Sequence, residues 1–134
     1  MKRFVKVLAV VLLVVLIVAL AACQTDNTTK RLTAVKANYE QAGYTVASIN
    51  KSNDLVKDKE THIADAEEIY SITKAATAGN TGESYILYKF KDVSKAEALK
   101  TAYGNSPKTA HCERLLLVGL NGTNVKPFED AYKD

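Results

Sequence analysis

Cys23 has the clearest chemical setting in this chain, because its nucleophilic thiol follows a distinctive N-terminal segment. Three of the first six residues are basic, residues 7–20 are 14 consecutive apolar residues, and Ala21 and Ala22 precede the cysteine. A basic start, a short apolar core and small residues before a cleavage point are the layout of a secretory signal. We therefore expect the segment before Cys23 to direct export.

The sequence Leu-Ala-Ala-Cys at residues 20–23 resembles the lipobox of bacterial lipoproteins. In that family the cysteine thiol is alkylated by a diacylglyceryl group, and cleavage before the cysteine makes it the first residue. The resemblance covers residues 1–23. It implies cleavage between Ala22 and Cys23, lipidation of Cys23 by diacylglycerol, and a place on the extracytoplasmic face of a bacterial membrane. It also allows an amide-linked acyl chain such as palmitate. Gln24 stands where an inner-membrane retention signal would have Asp, which points to the outer membrane if the host has one.

A transmembrane helix that stays attached is the alternative for the same segment. Counted through Cys23, the apolar run is 17 residues, at the lower edge of the roughly 17–25 residues that span a bilayer. Runs of about 10–14 residues fit a signal core better, and a spanning helix does not need a cysteine after two alanines. Both interpretations place the rest of the chain outside the cytoplasm.

The net charge of +3 belongs entirely to residues 1–22. Without Lys2, Arg3 and Lys6, the 18 basic residues fall to the number of acidic residues, which is 15. Such a balance gives no clustered Lys/Arg face for nucleic acid and no polybasic attraction to lipid. We therefore expect no nucleic-acid partner, and membrane attachment only through the acyl anchor on Cys23.

His111 and Cys112 are adjacent, Glu113 follows them, and His62 lies far away in sequence. A metal site needs three or four converging ligands, and neighbours on a strand point in opposite directions. A Cys–His nucleophile needs hydrogen-bond geometry that adjacency does not supply. We therefore expect no metal site, no cofactor and no catalytic cysteine. If Cys23 carries lipid, Cys112 has no disulfide partner in the chain, and we expect it to be partly exposed.

Two further patterns favour a non-enzymatic chain. The carboxylates between Asp58 and Glu68 alternate with lysines and small residues, as on a solvated charged face, whereas carboxylate catalysis needs two groups facing across a cleft. The loops at residues 79–82 and 119–123 contain glycine but lack phosphate-loop and dinucleotide motifs. We therefore predict that the protein is not an enzyme and that both loops are turns.

The composition is unusual in having seven tyrosines and no tryptophan. Tyrosine is amphipathic and common on recognition surfaces. Tyr70, Tyr85 and Tyr88 fall in one predicted hairpin. We therefore expect these three residues to contribute to an interaction surface on an exposed sheet face, with core packing as the alternative.

The elements that must position these residues can be read from apolar spacing. The pattern predicts a helix over 29–42, a strand over 44–49, a hairpin with strands 68–77 and 83–91, a helix over 94–103, a buried strand over 115–120 and a short final helix from residue 125. Ser94 and Glu97 have the spacing of a capping box. The pattern of residues 54–65 is compatible with a surface helix or with an ordered loop, and it does not distinguish between them. The order predicts an α+β fold with helices packed on one face of a small, mostly antiparallel sheet.

The chain thus divides into a signal peptide (1–22), a lipidated cysteine with a short tether (23–29) and one domain (30–134). In general layout only, the domain resembles small uncharacterised lipoproteins. We expect a non-enzymatic, lipid-anchored module that interacts with an envelope protein or a cell-wall component. The alternative is a small-ligand or ion-binding lipoprotein with a single-domain pocket, either on the mixed face of the sheet or beside His111.

Overall fold

A computed structural model describes residues 27–105 and 107–133. The helices are α1 (Thr28–Gln41), α2 (Val93–Tyr103) and α3 (Lys126–Asp130), with a 3₁₀ helix at Lys57–His62. The strands are β1 (Thr45–Ile49), β2 (Ala66–Lys74), β3 (Glu83–Phe90), β4 (Lys108–Cys112) and β5 (Leu115–Asn121).

The strands form a five-stranded sheet in the order β1-β2-β3-β5-β4, and every neighbouring pair is antiparallel. The predicted α+β class and the antiparallel sheet are therefore confirmed. β2 and β3 form the predicted hairpin, joined by residues 75–82. β5 lies inside the sheet between β3 and β4, as expected from its continuous apolar run.

Both faces of the sheet are covered by helices, whereas the sequence pattern predicted one covered face. Tyr85 and Leu87 point to one face, with α1 and α3; Ile86 and Tyr88 point to the other, with α2 and the segment that contains the 3₁₀ helix. We call these the α1 face and the α2 face. Both faces are covered because β3 and β5 are apolar on both sides. Interior strands of this kind must bury both of their faces.

The start of α2 differs from the predicted capping box. The helix begins at Val93 with Asp92 as the N-cap residue, and no side chain caps its first amides. Ser94 therefore lies inside the first turn and is exposed, so it cannot serve as the N-cap. The buried residues Ala96 and Leu99 hold α2 on the sheet.

Residues 54–65, for which the sequence allowed a surface helix or an ordered loop, form turns and the 3₁₀ helix and no long surface helix. Val56 and Ile63, which flank the 3₁₀ helix, are fully buried and pack on the α2 face. This segment uses two apolar side chains as anchors while its charged residues stay outside. That distribution explains why no helical period is visible in its sequence.

β4 is a strand that the sequence pattern did not predict. It pairs with β5 across a turn of Glu113 and Arg114, in which Glu113 has a φ of 53°. Positive φ is uncommon for a residue other than glycine, although tight hairpin turns require it. The turn therefore lacks the usual sequence signal, and β4 becomes the edge of the sheet.

Candidate functional site

The hydrogen-bond pattern of β5 shows which way the backbone of β4 faces. The Phe90 amide donates to the Arg114 carbonyl at 2.9 Å. Bonding direction alternates along an antiparallel strand. Leu116 and Val118 lie two and four residues after Arg114, so their backbone groups form hydrogen bonds with β3. The backbone groups of the intervening residues of β5 form hydrogen bonds with β4.

The register of β4 on β5 then identifies its open groups. Lys108, Ala110 and Cys112 lie opposite Gly119, Leu117 and Leu115, so they are the residues that bond to β5. Thr109 and His111 alternate with them and direct their N–H and C=O groups away from the sheet. Within the described residues, no hydrogen bond outside the strand ladders uses these groups. β4 therefore offers an open edge to another strand.

A groove of about 1010 Å³ borders this edge on the α2 face. Thr109 and His111 form one wall, since they lie opposite Val118 and Leu116 of that face. Glu97, Lys100 and Thr101 of α2 contribute to the lining. This α2-side groove is polar, and it carries charges of both signs.

A second groove, of about 370 Å³, borders the same edge on the α1 face. Ala110 and Cys112 form its β4 wall, and Phe128 and Tyr132 line its other side. The Tyr132 hydroxyl donates to the Cys112 carbonyl at 3.3 Å. This α3-side groove is the more apolar of the two, and it contains the free thiol of Cys112.

The thiol and the imidazole next to it do not form a catalytic pair. Cys112 and His111 point to opposite faces of the sheet, as their register partners show. The Nε2 atom of His111 is 2.9 Å from the Glu113 carbonyl, so this nitrogen carries the proton and donates. Burial raises the pKa of the Cys112 thiol, which disfavours the nucleophilic thiolate. In the described part of the chain, no group of three or more His, Cys, Asp or Glu residues is placed to hold a metal ion.

The predicted tyrosine surface is wrong. Tyr85 and Tyr88 are 0% exposed and lie on opposite faces of the sheet, where they pack in the two cores. Tyr70 is half-buried; its hydroxyl donates to Glu68, and the ammonium of Lys36 lies 4.3 Å from its ring centroid. Helices on both faces remove the exposed sheet surface that this prediction needed.

The carboxylates near β2 are held in ion pairs. Glu67 accepts from Arg114 at 2.8 Å, Glu68 lies 3.2 Å from Lys89, and Asp65 lies 3.4 Å from Lys95. The hydrogen bond from Tyr70, together with Lys89, lowers the pKa of Glu68. The arrangement agrees with a charged surface and not with two carboxylates facing across a cleft.

Local sequence gave little indication of the β4 edge. Residues 108–112 are Lys-Thr-Ala-His-Cys, with a single charged residue and no strong apolar alternation. The sequence feature that could have indicated this strand is its position. Residues 108–112 lie just before the buried strand and are separated from it by only two polar residues. The α2-side groove does lie beside His111, one of the two places expected for a single-domain pocket.

Ala22 and Cys23, the predicted cleavage and lipidation residues, lie outside the described residues. Among the described helices, none has the length and apolar character that a membrane span requires. No protein-family model, curated protein or solved structure matches this chain.

Proposed function

We propose that this protein is a non-enzymatic, lipid-anchored bacterial envelope protein that binds an extended segment of another envelope protein along β4. The observation that carries the proposal is an open strand edge with a groove on each of its two faces. The anchor is supported by the sequence of residues 20–23, whose resemblance to a lipobox implies diacylglycerol on Cys23 and a domain on the extracytoplasmic face. Affinity for the bilayer then comes from acyl chains, of which two or more make attachment stable.

Strand addition uses the groups that β4 leaves open. An added strand would bond through its backbone to Thr109 and His111, which supplies affinity without requiring a particular sequence. Its side chains would alternate between the two faces. One set enters the α2-side groove and the other enters the α3-side groove, so the grooves supply specificity.

The linings of the grooves define the partner's pattern. Ala110, Phe128 and Tyr132 favour apolar side chains on the α1 face. Glu97 and Lys100 favour polar or charged side chains on the α2 face. A segment of alternating apolar and polar residues therefore fits β4.

The opposite edge, β1, is less suited to the same role and serves as a control. Continuing the hydrogen-bond alternation across β3 and β2 leaves Val46 and Ser48 facing outward. The groove beside β1 is smaller, about 280 Å³. Proline is tolerated at outward-facing edge positions because it removes no ladder hydrogen bond. Thr109→Pro and Ser48→Pro therefore make a matched pair that blocks one edge at a time.

The test uses the anchored protein in cells, with a photo-cross-linking residue at Ala110. We expect a discrete protein adduct that disappears with Thr109→Pro and persists with Ser48→Pro. The cross-linked segment should map to a stretch of alternating apolar and polar residues. An adduct insensitive to Thr109→Pro, a carbohydrate adduct or the absence of any adduct would contradict strand addition at β4.

A small polar ligand is the second candidate, favoured by the size of the α2-side groove beside His111. The two candidates differ in their dependence on side chains. Lys100→Glu would remove a cationic ligand contact in the groove, whereas an added strand would keep its backbone bonds to β4. Loss of function with Lys100→Glu but not with Thr109→Pro would favour the small ligand.

A further inference from the structure

We infer that the domain stands on the bilayer with one defined end downward, and that β4 runs toward the membrane. The inference rests on the proposed lipid anchor at Cys23. It deepens that proposal by stating which surface meets lipid and which surface is left for a protein partner. The orientation follows from the position at which α1 begins and from the short chain between α1 and Cys23.

Three contacts define the end of the domain at which α1 begins, which we call the anchor end. The Thr28 hydroxyl donates to a Glu113 carboxylate oxygen at 3.3 Å. The Arg114 guanidinium donates to the Phe90 carbonyl at 2.8 Å. The Lys91 amide donates to the carbonyl of Asp65 at 3.2 Å. The first turn of α1, the β4–β5 turn and the β3–α2 connection therefore lie together.

The opposite end, which we call the far end, is defined in the same way. The Asn121 side-chain amide donates to the Gly82 carbonyl at 2.8 Å. The Lys74 ammonium donates to the Ala42 carbonyl at 3.5 Å. The last turn of α1 and the loop of residues 75–82 therefore lie at this end. With 14 residues, α1 separates the two ends by about 20 Å.

The tether is too short to reverse the domain. Residues 24–27 separate Cys23 from α1, which begins at Thr28. Five Cα–Cα steps extend to about 18 Å at most. If the far end rested on the bilayer, the tether would have to span the whole length of α1, about 20 Å, to reach the membrane. The tether is shorter than that. The far end therefore cannot rest on the bilayer, whereas the start of α1 at the anchor end is held within about 18 Å of Cys23.

Four charged residues of the anchor end form ion pairs with each other. Arg114 contacts Glu67 at 2.8 Å, and Lys95 lies 3.4 Å from Asp65. A surface of this kind offers no polybasic patch to anionic headgroups. The bilayer thus meets a balanced polar surface, and the acyl chains alone supply attachment.

This orientation limits the partners of β4. The strand starts at Lys108 near the far end and finishes at Cys112 next to the turn of the anchor end. Antiparallel pairing with β4 of a second copy would turn that copy upside down. Two copies anchored in one bilayer cannot pair in this way, so the orientation excludes an antiparallel β4–β4 pair within one membrane.

The experiment uses the full lipidated protein, purified from membranes and reconstituted in vesicles that contain a headgroup-labelled nitroxide lipid. In a Cys112→Ser background, a fluorophore is attached to Asp92→Cys at the anchor end or to Asn80→Cys at the far end. Both positions are exposed. We expect strong loss of fluorescence at position 92 and little at position 80. A flexible insertion of about 30 Gly/Ser residues before Asn27, which spans roughly 30 Å on average, should remove the difference.

Each outcome has a definite meaning. Equal quenching at the two positions, or stronger quenching at position 80, would overturn the orientation while leaving the anchor intact. A difference that persists in the insertion variant would show that the tether does not set the orientation. Protein recovered without acyl chains and free of the vesicles would overturn the anchor itself and the orientation with it.

Discussion

The Tyr44 hydroxyl lies 2.9 Å from both carboxylate oxygens of Glu83, and so joins the end of α1 to the start of β3. The Tyr85 hydroxyl donates to the same carboxylate at 2.6 Å and accepts from the Asn124 amide at 2.8 Å. The Asn124 side chain donates to Tyr44 at 3.2 Å. One carboxylate therefore organises the far end of the domain.

Glu83→Ala should lower the free energy of unfolding by about 1–3 kcal/mol, because two tyrosine hydroxyls lose a charged acceptor. Glu83→Gln keeps an acceptor oxygen and should cost less. Urea unfolding of residues 24–134 measures both effects. Glu97→Ala removes an exposed carboxylate and should change stability by less than about 0.5 kcal/mol. Equal losses for the Ala variants would contradict the role of Glu83.

Stability should fall in alkaline solution, because burial raises the pKa of all seven tyrosines. Tyrosines in the unfolded chain ionise near their usual value, about 10. In the folded protein they hold their protons to higher pH, for example Tyr70, whose pKa is raised to about 12. Above pH ~10 the unfolded state therefore binds fewer protons, and stability declines as pH rises.

Urea unfolding between about pH 8 and pH 11 should show constant stability up to about pH 10 and a steep loss beyond it. Tyrosinate absorbance should rise together with the loss of circular dichroism, because the buried hydroxyls ionise when the chain opens. Gradual titration of most tyrosines near pH 10 in a protein that stays folded would show that the hydroxyls are not buried.

The elements predictable from sequence are those with strong local patterns. Leu32, Val35 and Tyr39 have helical spacing and form the buried stripe of α1. β5 is apolar almost throughout and lies inside the sheet. β4 has no such pattern because an edge strand is only half covered. A residue with positive φ, Glu113, forms its turn without the usual glycine.

The candidate site was less predictable, since it depends on contacts between distant segments. Strand alternation correctly puts Tyr85 and Tyr88 on opposite faces of the sheet. The exposure of each face depends on whether α1, α2 and residues 51–65 pack on it. The sequence of the strands alone does not show where these other segments pack. The open groups of Thr109 and His111 likewise depend on β4 being last in the sheet order.

Ser94→Ala should change the free energy of unfolding by less than about 0.5 kcal/mol, because no side-chain cap is present at the start of α2. A true N-cap serine would cost about 0.5–2 kcal/mol when replaced by alanine. Leu99→Ala on the same helix removes a fully buried side chain and should cost about 2–5 kcal/mol. A loss above about 1 kcal/mol for Ser94→Ala would restore the capping-box interpretation.

Cys23→Ser should abolish lipid attachment, because the thioether to diacylglycerol requires sulfur. The variant should incorporate no labelled palmitate and should keep its signal segment uncut by the lipoprotein peptidase. The unaltered protein should stay with membranes in concentrated salt, since its charges balance after residue 22. Incorporation of label by the serine variant would rule out the lipobox interpretation.

Cys112 should react with a thiol probe in the native protein, but more slowly than a free cysteine. It is half-buried in the α3-side groove, and burial raises its pKa, so less thiolate is present at neutral pH. The labelling rate should keep increasing above about pH 8.5, where the rate of a free thiol levels off, and should increase in denaturant. Labelling that requires denaturant would place the thiol in the core.

The same thiol reports on the proposed partner. A strand added to β4 would place side chains in the α3-side groove and shield Cys112 from the probe. In cells, labelling should therefore be slower when β4 is occupied and faster in Thr109→Pro, while Ser48→Pro should leave the rate unchanged. Cys112→Ser should keep both fold and partner binding, because the thiol lines the groove without a catalytic role. Loss of binding in Cys112→Ser would instead make the sulfur part of the recognition surface.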